Sequence, residues 1–326
     1  MKRREFIAVL GGAAAWPFAA RTQQAAMPLI GFLSSRSRDD SSRMLNGFHR
    51  GLADAGLGEG RNIAVDYRFA EGHYERLAPL AAELANRPIA VLVAAGGEPA
   101  ARAAMAATTT TPVVVIFGSD PVANHLIDSL SHPGHNLTGV SVLSASIEPK
   151  RISLMHDLLP QAKVFGALLN PSTPTYAEQL RDIATAASAI GIEVKPFLVG
   201  NDAELETAFE AAARTEIHAL LASADPFLVF RRSKIAELAV KAHMPVMYPY
   251  RDFPEAGGLM SYGIDLADAY RQLALYAGRI IRGDKPQDLP VVEPTKFEFV
   301  INLKAVKALG LSIPAGILAI ADEVIE

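Results

Sequence analysis

The sequence predicts an α/β fold of two lobes, each a doubly wound parallel sheet, with a ligand cleft between them. Two observations carry most of this. The stretch Val113-Val114-Val115-Ile116-Phe117-Gly118-Ser119-Asp120-Pro121 has a near copy in His218-Ala219-Leu220-Leu221-Ala222-Ser223-Ala224-Asp225-Pro226. Each is an apolar run, as a parallel strand covered on both faces requires, opening into a small polar turn. Strand and helix signals also alternate along nearly all of the 326 residues, a length that accommodates two lobes of ordinary size. Asp-Pro is equally how a helix begins, with Asp as N-cap and Pro as first helical residue, so each motif alone reads as a cap. Their pairing adds a functional reading. Two sheets that set a strand end and a helix N-terminus at equivalent places face each other across a cleft, where open α/β sheets bind ligands.

The elements run in order. Leu29 to Leu33 is a first strand ending in Ser34-Ser35-Arg36-Ser37, and Arg43 to Ala55 is an amphipathic helix stopped by Gly56. Asn62 to Phe69 alternates as a strand, Tyr74 to Asn86 is helical, and Ile89 to Ala94 is a strand opening into Ala95-Gly96-Gly97. Pro99 then starts a helix that runs on to Ala107. After the first Asp-Pro motif come a short helix, Val122 to Ser131, and the loop Pro133 to Gly139, whose turn chemistry marks a lobe crossing. The scheme repeats with helix Ile147 to Leu158, strand Val164 to Leu169 ending in Asn170, helix Thr175 to Ile190, strand Ile192 to Leu198 and helix Asp202 to Arg214. Next come the second motif, a helix through Ala242, strands at Pro245–Tyr248 and Gly257–Gly263, and the long helix Leu266 to Arg282. Lys296 to Asn302 returns as a strand, and helices around Leu303–Leu309 and Ala315–Ile325 close the chain.

Composition narrows the function classes. The chain is 50% hydrophobic and 20% charged, a globular balance. A formal net charge of −4, with no Lys/Arg run interleaved with aromatics, gives no field for a polyanion, so nucleic acid is set aside. There is no cysteine, which removes disulfides, thiolate catalysis and cysteine metal sites, while export needs no oxidative folding step.

Residues 1–26 read as an address. Met1-Lys2-Arg3-Arg4 is basic, Phe6 to Ala20 is apolar but too short to span a bilayer, and Arg21-Thr22-Gln23-Gln24 breaks it. The paired arginines resemble a twin-arginine signal, with cleavage expected within Ala19 to Ala26. The expectation is a periplasmic protein exported by that route.

A family resemblance emerges from Arg61-Asn62-Ile63, Ala70-Glu71-Gly72, Gly118-Ser119-Asp120-Pro121, Pro133 to Ser141, Tyr248-Pro249-Tyr250-Arg251 and Gly257 to Gly263, together with the tail segments Pro294-Thr295-Lys296-Phe297 and Ala321 to Ile325. As a set these resemble the ABC-transporter substrate-binding proteins of the tryptophan/tyrosine type; His135 departs, standing where many members have glycine. The resemblance implies a type I periplasmic-binding fold whose lobes are joined by three crossings. It divides the chain into residues 27–138 plus about 264–290 for the N-terminal lobe, and 139–263 plus about 291–326 for the C-terminal lobe. It also implies an ABC permease and ATPase at the inner membrane as partners.

The residues offer their own chemistry. Ser34, Ser35, Ser37, Gly96, Gly97 and Ser119 stand just past strand ends of one lobe, where hydroxyls, amides and helix dipoles bind an anion without a cationic partner. The same residues make ordinary turns. Asp120, Asp225 and Asp265 sit at strand-to-helix junctions and can meet an ammonium or cap a helix, and Asn170 and Ser223 end strands of the second lobe. Tyr248 and Tyr262 offer aromatic faces, whereas Phe227, just past a helix-opening proline, reads as packing. Together these groups suit a zwitterion with a side chain, an amino acid and first an aromatic one. No cofactor and no metal is expected: there is no G-x-S-x-G elbow, Walker loop or H-E-x-x-H pair. Two alternatives stay open, a ligand sensor for a membrane signalling partner and a cleft enzyme using Asp120 and Asp225 as acid and base.

Overall fold

The structure, a computed structural model, describes residues 27–142, 147–173 and 176–326. The signal expected at residues 1–26 lies outside them. In chain order the strands are β1 Leu29–Ser34, β2 Ala64–Phe69, β3 Val91–Ala94, β4 Val113–Phe117, β5 Leu137–Ser141, β6 Val164–Leu169, β7 Glu193–Leu198, β8 Ala219–Ala222, β9 Val246–Tyr248, β10 Met260–Ile264, β11 Phe297–Asn302 and β12 Glu323–Ile325. The α-helices are α1 Ser42–Asp54, α2 Leu77–Ala85, α3 Glu98–Ala107, α4 Glu148–Leu158, α5 Tyr176–Ser188, α6 Asp202–Ala213, α7 Pro226–Phe230, α8 Arg232–Lys241, α9 Asp252–Glu255, α10 Leu266–Ile281, α11 Leu303–Ala308 and α12 Ala315–Ala319.

Two sheets form, in the orders β2-β1-β3-β4-β5 and β12-β11-β10-β9-β8-β6-β7. All pairs are parallel except β10 with β11. The central strands β3, β4, β6 and β8 are buried at every position, as apolar runs under helices on both faces must be. The chain crosses between the sheets three times: after β5, between β10 and α10, and again ahead of β11. At Val292 the returning chain bridges Val140 of β5.

Helix α10 comes directly after a strand of the second sheet yet packs on the first lobe. Glycines make this possible. A Cβ on Gly47 of α1 would lie 2.1 Å from the Ala267 carbonyl oxygen, and one on Gly51 would lie 2.2 Å from that of Arg271. The two helix backbones therefore touch, and any larger residue at either position would push α10 off its lobe.

Four local expectations change. The segment Pro133 to Gly139 is not the crossing: Leu137–Ser141 pairs with β4 as a fully buried fifth strand, so the chain leaves the first lobe only after Ser141. Val122 to Ser131 forms turns rather than a helix, with His125 at φ 54°, a left-handed conformation that interrupts helical propagation. The closing helix ends at Ala319, and β12 then adds to β11 with the Asp322 carboxylate accepting from the Phe299 amide at 2.7 Å. Finally, β11 runs antiparallel to β10. The chain leaves the second lobe at Ile264 and re-enters beside it at Phe297, so the returning strand must run the opposite way.

Candidate functional site

Strand carboxyl ends from both sheets converge on one cavity of about 60 Å³. From the first lobe come Arg36 after β1, Gly96-Gly97-Glu98 after β3, and Gly118 after β4. From the second come Thr173 after β6, Ala224 and Pro226 after β8, and Tyr250 after β9. Ile116, Val142, Val229 and Leu266 make much of the wall apolar, and Tyr270 of α10 adds a ring. This is the placement that open α/β sheets give their ligands.

Arg36 is 7% exposed. Its Nη2 donates to Asp252 Oδ1 at 3.3 Å, across the lobes, and to the Asp40 carbonyl at 3.2 Å. Its Nε has no hydrogen-bond partner among the described residues. A buried guanidinium donor without an acceptor costs free energy on the order of 1–3 kcal/mol until something accepts from it. Beside it on the same lobe stands the start of α3. Gly97, at φ 80°, caps it without a side-chain acceptor, so its first-turn amides carry the positive end of the helix dipole to the cavity wall. Gly96 has no room for a side chain, since a Cβ would lie 2.3 Å from the Ser35 amide nitrogen. Glu98, 4% exposed, accepts from Ser119 Oγ at 3.3 Å and pairs with Arg102 at 2.9 Å. Burial pushes the Tyr270 phenol up to about 12, and its hydroxyl donates to the Ala95 carbonyl.

Four of the hydroxyls singled out from sequence, those of Ser34, Ser35, Ser37 and Ser119, are bonded within the protein. Ser34 Oγ donates to the Ala95 carbonyl at 3.3 Å and Ser35 Oγ to that of Gly96 at 2.6 Å, tying the ends of β1 and β3 together. Ser37 bonds Asp40 at 2.8 Å, away from the cavity. Ser119 orients Glu98 and accepts from Asn124 at 3.0 Å.

The aspartates separate. Asp120 is exposed, and its Oδ1 accepts from the amides of Val122 at 2.9 Å and Ala123 at 3.1 Å, a turn cap outside the cavity. Asp265 caps α10 through the amides of Ala267 and Asp268 and takes Arg43 at 2.9 Å. Asp225 is 1% exposed, one layer behind the wall formed by its neighbours Ala224 and Pro226. It accepts from the amides of Phe227 at 2.9 Å and Leu228 at 3.3 Å, Asn170 Nδ2 at 3.0 Å, the Thr173 hydroxyl, and Tyr74 of the first lobe at 2.9 Å. Burial pushes its carboxyl above the ordinary range, against the pull of Thr173, Asn170 and Tyr74. Asp120 and Asp225 therefore do not share a site, and the acid–base pair of the enzyme alternative is not assembled.

The aromatic candidates also divide. Tyr248 is buried and stacks on Phe253 at 4.5 Å inside the second lobe, and Tyr262, half-buried against the core cluster on the other side of that sheet, stacks on the exposed Phe297 at 6.2 Å. Neither lines the cavity; Tyr250 does. Ser223 is buried, with its hydroxyl unpartnered among the described residues. Phe227 packs in the core with the Arg231 guanidinium 4.8 Å above its ring. Arg36 and Glu98 escape sequence reading although both adjoin candidate residues. Their signal is a charged residue inside a turn of small ones at a strand end.

Two lobes that hold a cavity between their strand ends have the arrangement of a solute-binding protein. Residues 29–325 match the family described as ABC transporter substrate binding protein, and the chain belongs to that family. It is 27% identical over 269 residues to a tyrosine-binding protein of Clostridioides difficile (strain R20291), covering 81% of this chain and 76% of the relative. A conserved domain protein from Vibrio cholerae superposes with a TM-score of 0.84 at 27% identity, over 91% of this chain and 99% of that one. An ABC domain from Streptococcus pneumoniae in complex with L-Trp superposes with a TM-score of 0.83 at 26% identity, over the same shares of the two chains. Among the described residues no helix is long and apolar enough to cross a membrane.

Proposed function

We propose that this chain is a periplasmic receptor that traps an α-amino acid, aromatic by first preference, and presents its closed form to an ABC importer without altering the ligand. The observation that carries this is the unpartnered Nε of the buried Arg36 beside the uncapped start of α3. Together they suit a carboxylate, which gains charge-assisted bonds on one side and the helix dipole on the other. Glu98 supplies the negative charge that an ammonium needs, and the apolar wall with Tyr250 and Tyr270 suits a ring. The tyrosine-binding relative and the L-Trp complex support the same ligand class. The basic, twin-arginine start of the chain supports export, and recovery of the mature protein only from the cytoplasm would contradict it.

Isothermal calorimetry across the common amino acids is the test. The expected result is one site per chain, tightest for L-tryptophan or L-tyrosine, with the ligand released at unchanged mass. Absence of heat with every amino acid would overturn the ligand class, and a chemically altered ligand would overturn the receptor reading.

A further inference from the structure

We infer that Tyr74 is a positioning residue that latches the lobes shut through Asp225, outside the ligand cavity; this rests on the receptor reading above. The phenol belongs to the first lobe and does not line the cavity. It donates to Asp225 Oδ2 at 2.9 Å and accepts from the Phe227 amide at 3.1 Å, both in the second lobe. Burial beside the Asp225 carboxylate drives its pKa far above the ordinary value for tyrosine, so the hydroxyl remains a donor at any working pH.

Both ends of this bond are tied to the cavity wall. On the first lobe, the loop leading into Tyr74 is stitched to the turn that carries Arg36: the amides of Ala70, Glu71 and Gly72 donate to the carbonyls of Ser34, Arg36 and Ser35 at 2.8, 3.3 and 2.7 Å. On the second lobe, Asp225 accepts from the cavity residue Thr173 and caps α7, whose Pro226 and Val229 reach the cavity. The same loop meets α7 again at the rim, where a Cβ on Gly72 would lie 3.0 Å from the Phe230 ring. A hydrogen bond between groups on opposite lobes exists only when the lobes are together, so it adds to the closed state alone and biases the equilibrium that the ligand shifts.

The chain has no cysteine, so Ala82→Cys on α2 and Ala213→Cys on α6, both exposed, accept one spin label per lobe without background. Electron–electron resonance distances would be compared for the labelled parent and for Tyr74→Phe, with and without L-tryptophan or L-tyrosine. Loss of this buried hydrogen bond, which also leaves the Phe227 amide without its acceptor on Tyr74, predicts a closed-to-open ratio about tenfold lower in Tyr74→Phe, and amino-acid release faster by a similar factor. Tyr67→Phe is the control, because that hydroxyl bonds Glu59 and His49 within the first lobe, and it should behave as the parent. A parent that closes and a Tyr74→Phe that closes and releases equally would overturn the latch alone. A parent that binds neither amino acid and never changes its lobe separation would overturn the receptor reading and the latch with it.

Discussion

The segments Ser119-Asp120-Pro121 and Ala224-Asp225-Pro226 begin from almost the same residues and end in opposite circumstances. Both aspartates cap the backbone two and three residues on. Asp120 stops there, exposed at the head of a run of turns. Asp225 is buried, and three side chains from distant parts of the sequence converge on it. The residues just past each proline explain the divergence. Phe227, Leu228 and Val229 are apolar and pull α7 into the core, dragging its cap under the surface. Val122-Ala123-Asn124-His125 carries less apolar weight, and the positive φ at His125 ends the turn before a helix forms. A cap is written locally; whether it becomes part of a binding cleft is decided by the burial of the helix it opens.

The strongest way to break this contrast is to remove each carboxylate. Asp225→Ala strands two backbone amides, an amide side chain and two hydroxyls in a buried place, and should cost about 3 kcal/mol or more in urea unfolding. A loss near that of an ordinary cap would show that the convergent bonds contribute little. Asp120→Ala should cost about 1 kcal/mol, the loss of one exposed cap. A loss as large as that of Asp225→Ala would make the two motifs equivalent and remove the distinction.

A finer contrast lies in pH. Burial raises the Asp225 carboxyl in the folded chain above its unfolded value of about 3.9. The folded state then holds this proton more tightly than the unfolded one. The resulting stability is fully present below that unfolded value and is lost as pH rises through the folded pKa. Asp225→Asn cannot titrate, so thermal unfolding should show the stability gap between parent and variant narrowing as pH rises from about 4 towards neutral. A gap that widens instead would mean the five donors outweigh burial and hold the carboxylate ionised.

Much of the fold is legible because buried parallel strands are long apolar runs: β3, β4, β6 and β8 are readable from their residues alone. The hidden β5 contains Thr138, Gly139 and Ser141, whose polar and small side chains disguise a strand that is buried throughout. For the site, sequence finds the turns at the strand ends, and Gly96 and Gly97 of them line the cavity. Ser34, Ser35 and Ser119 secure the strand ends, and the groups they position, Arg36 and Glu98, meet the cavity. Tyr74 lies 151 residues from Asp225 and on the other lobe, a distance no local pattern spans. Tyr248 and Tyr262 attract a sequence reading because they end or occupy strands beside the cleft, but side chains on a strand alternate faces, and theirs lie on the two faces of the sheet, Tyr248 in the core and Tyr262 half-buried against the other cluster.

The most direct measurement is calorimetric titration of L-tryptophan and L-tyrosine into the parent protein and Asp120→Ala, with Tyr74→Phe alongside. The account predicts the same affinity for the parent and Asp120→Ala, and an affinity about tenfold weaker for Tyr74→Phe, because of the two aspartates Asp225 is the one bonded across the lobes. Weakened binding in Asp120→Ala together with unchanged binding in Tyr74→Phe would contradict it.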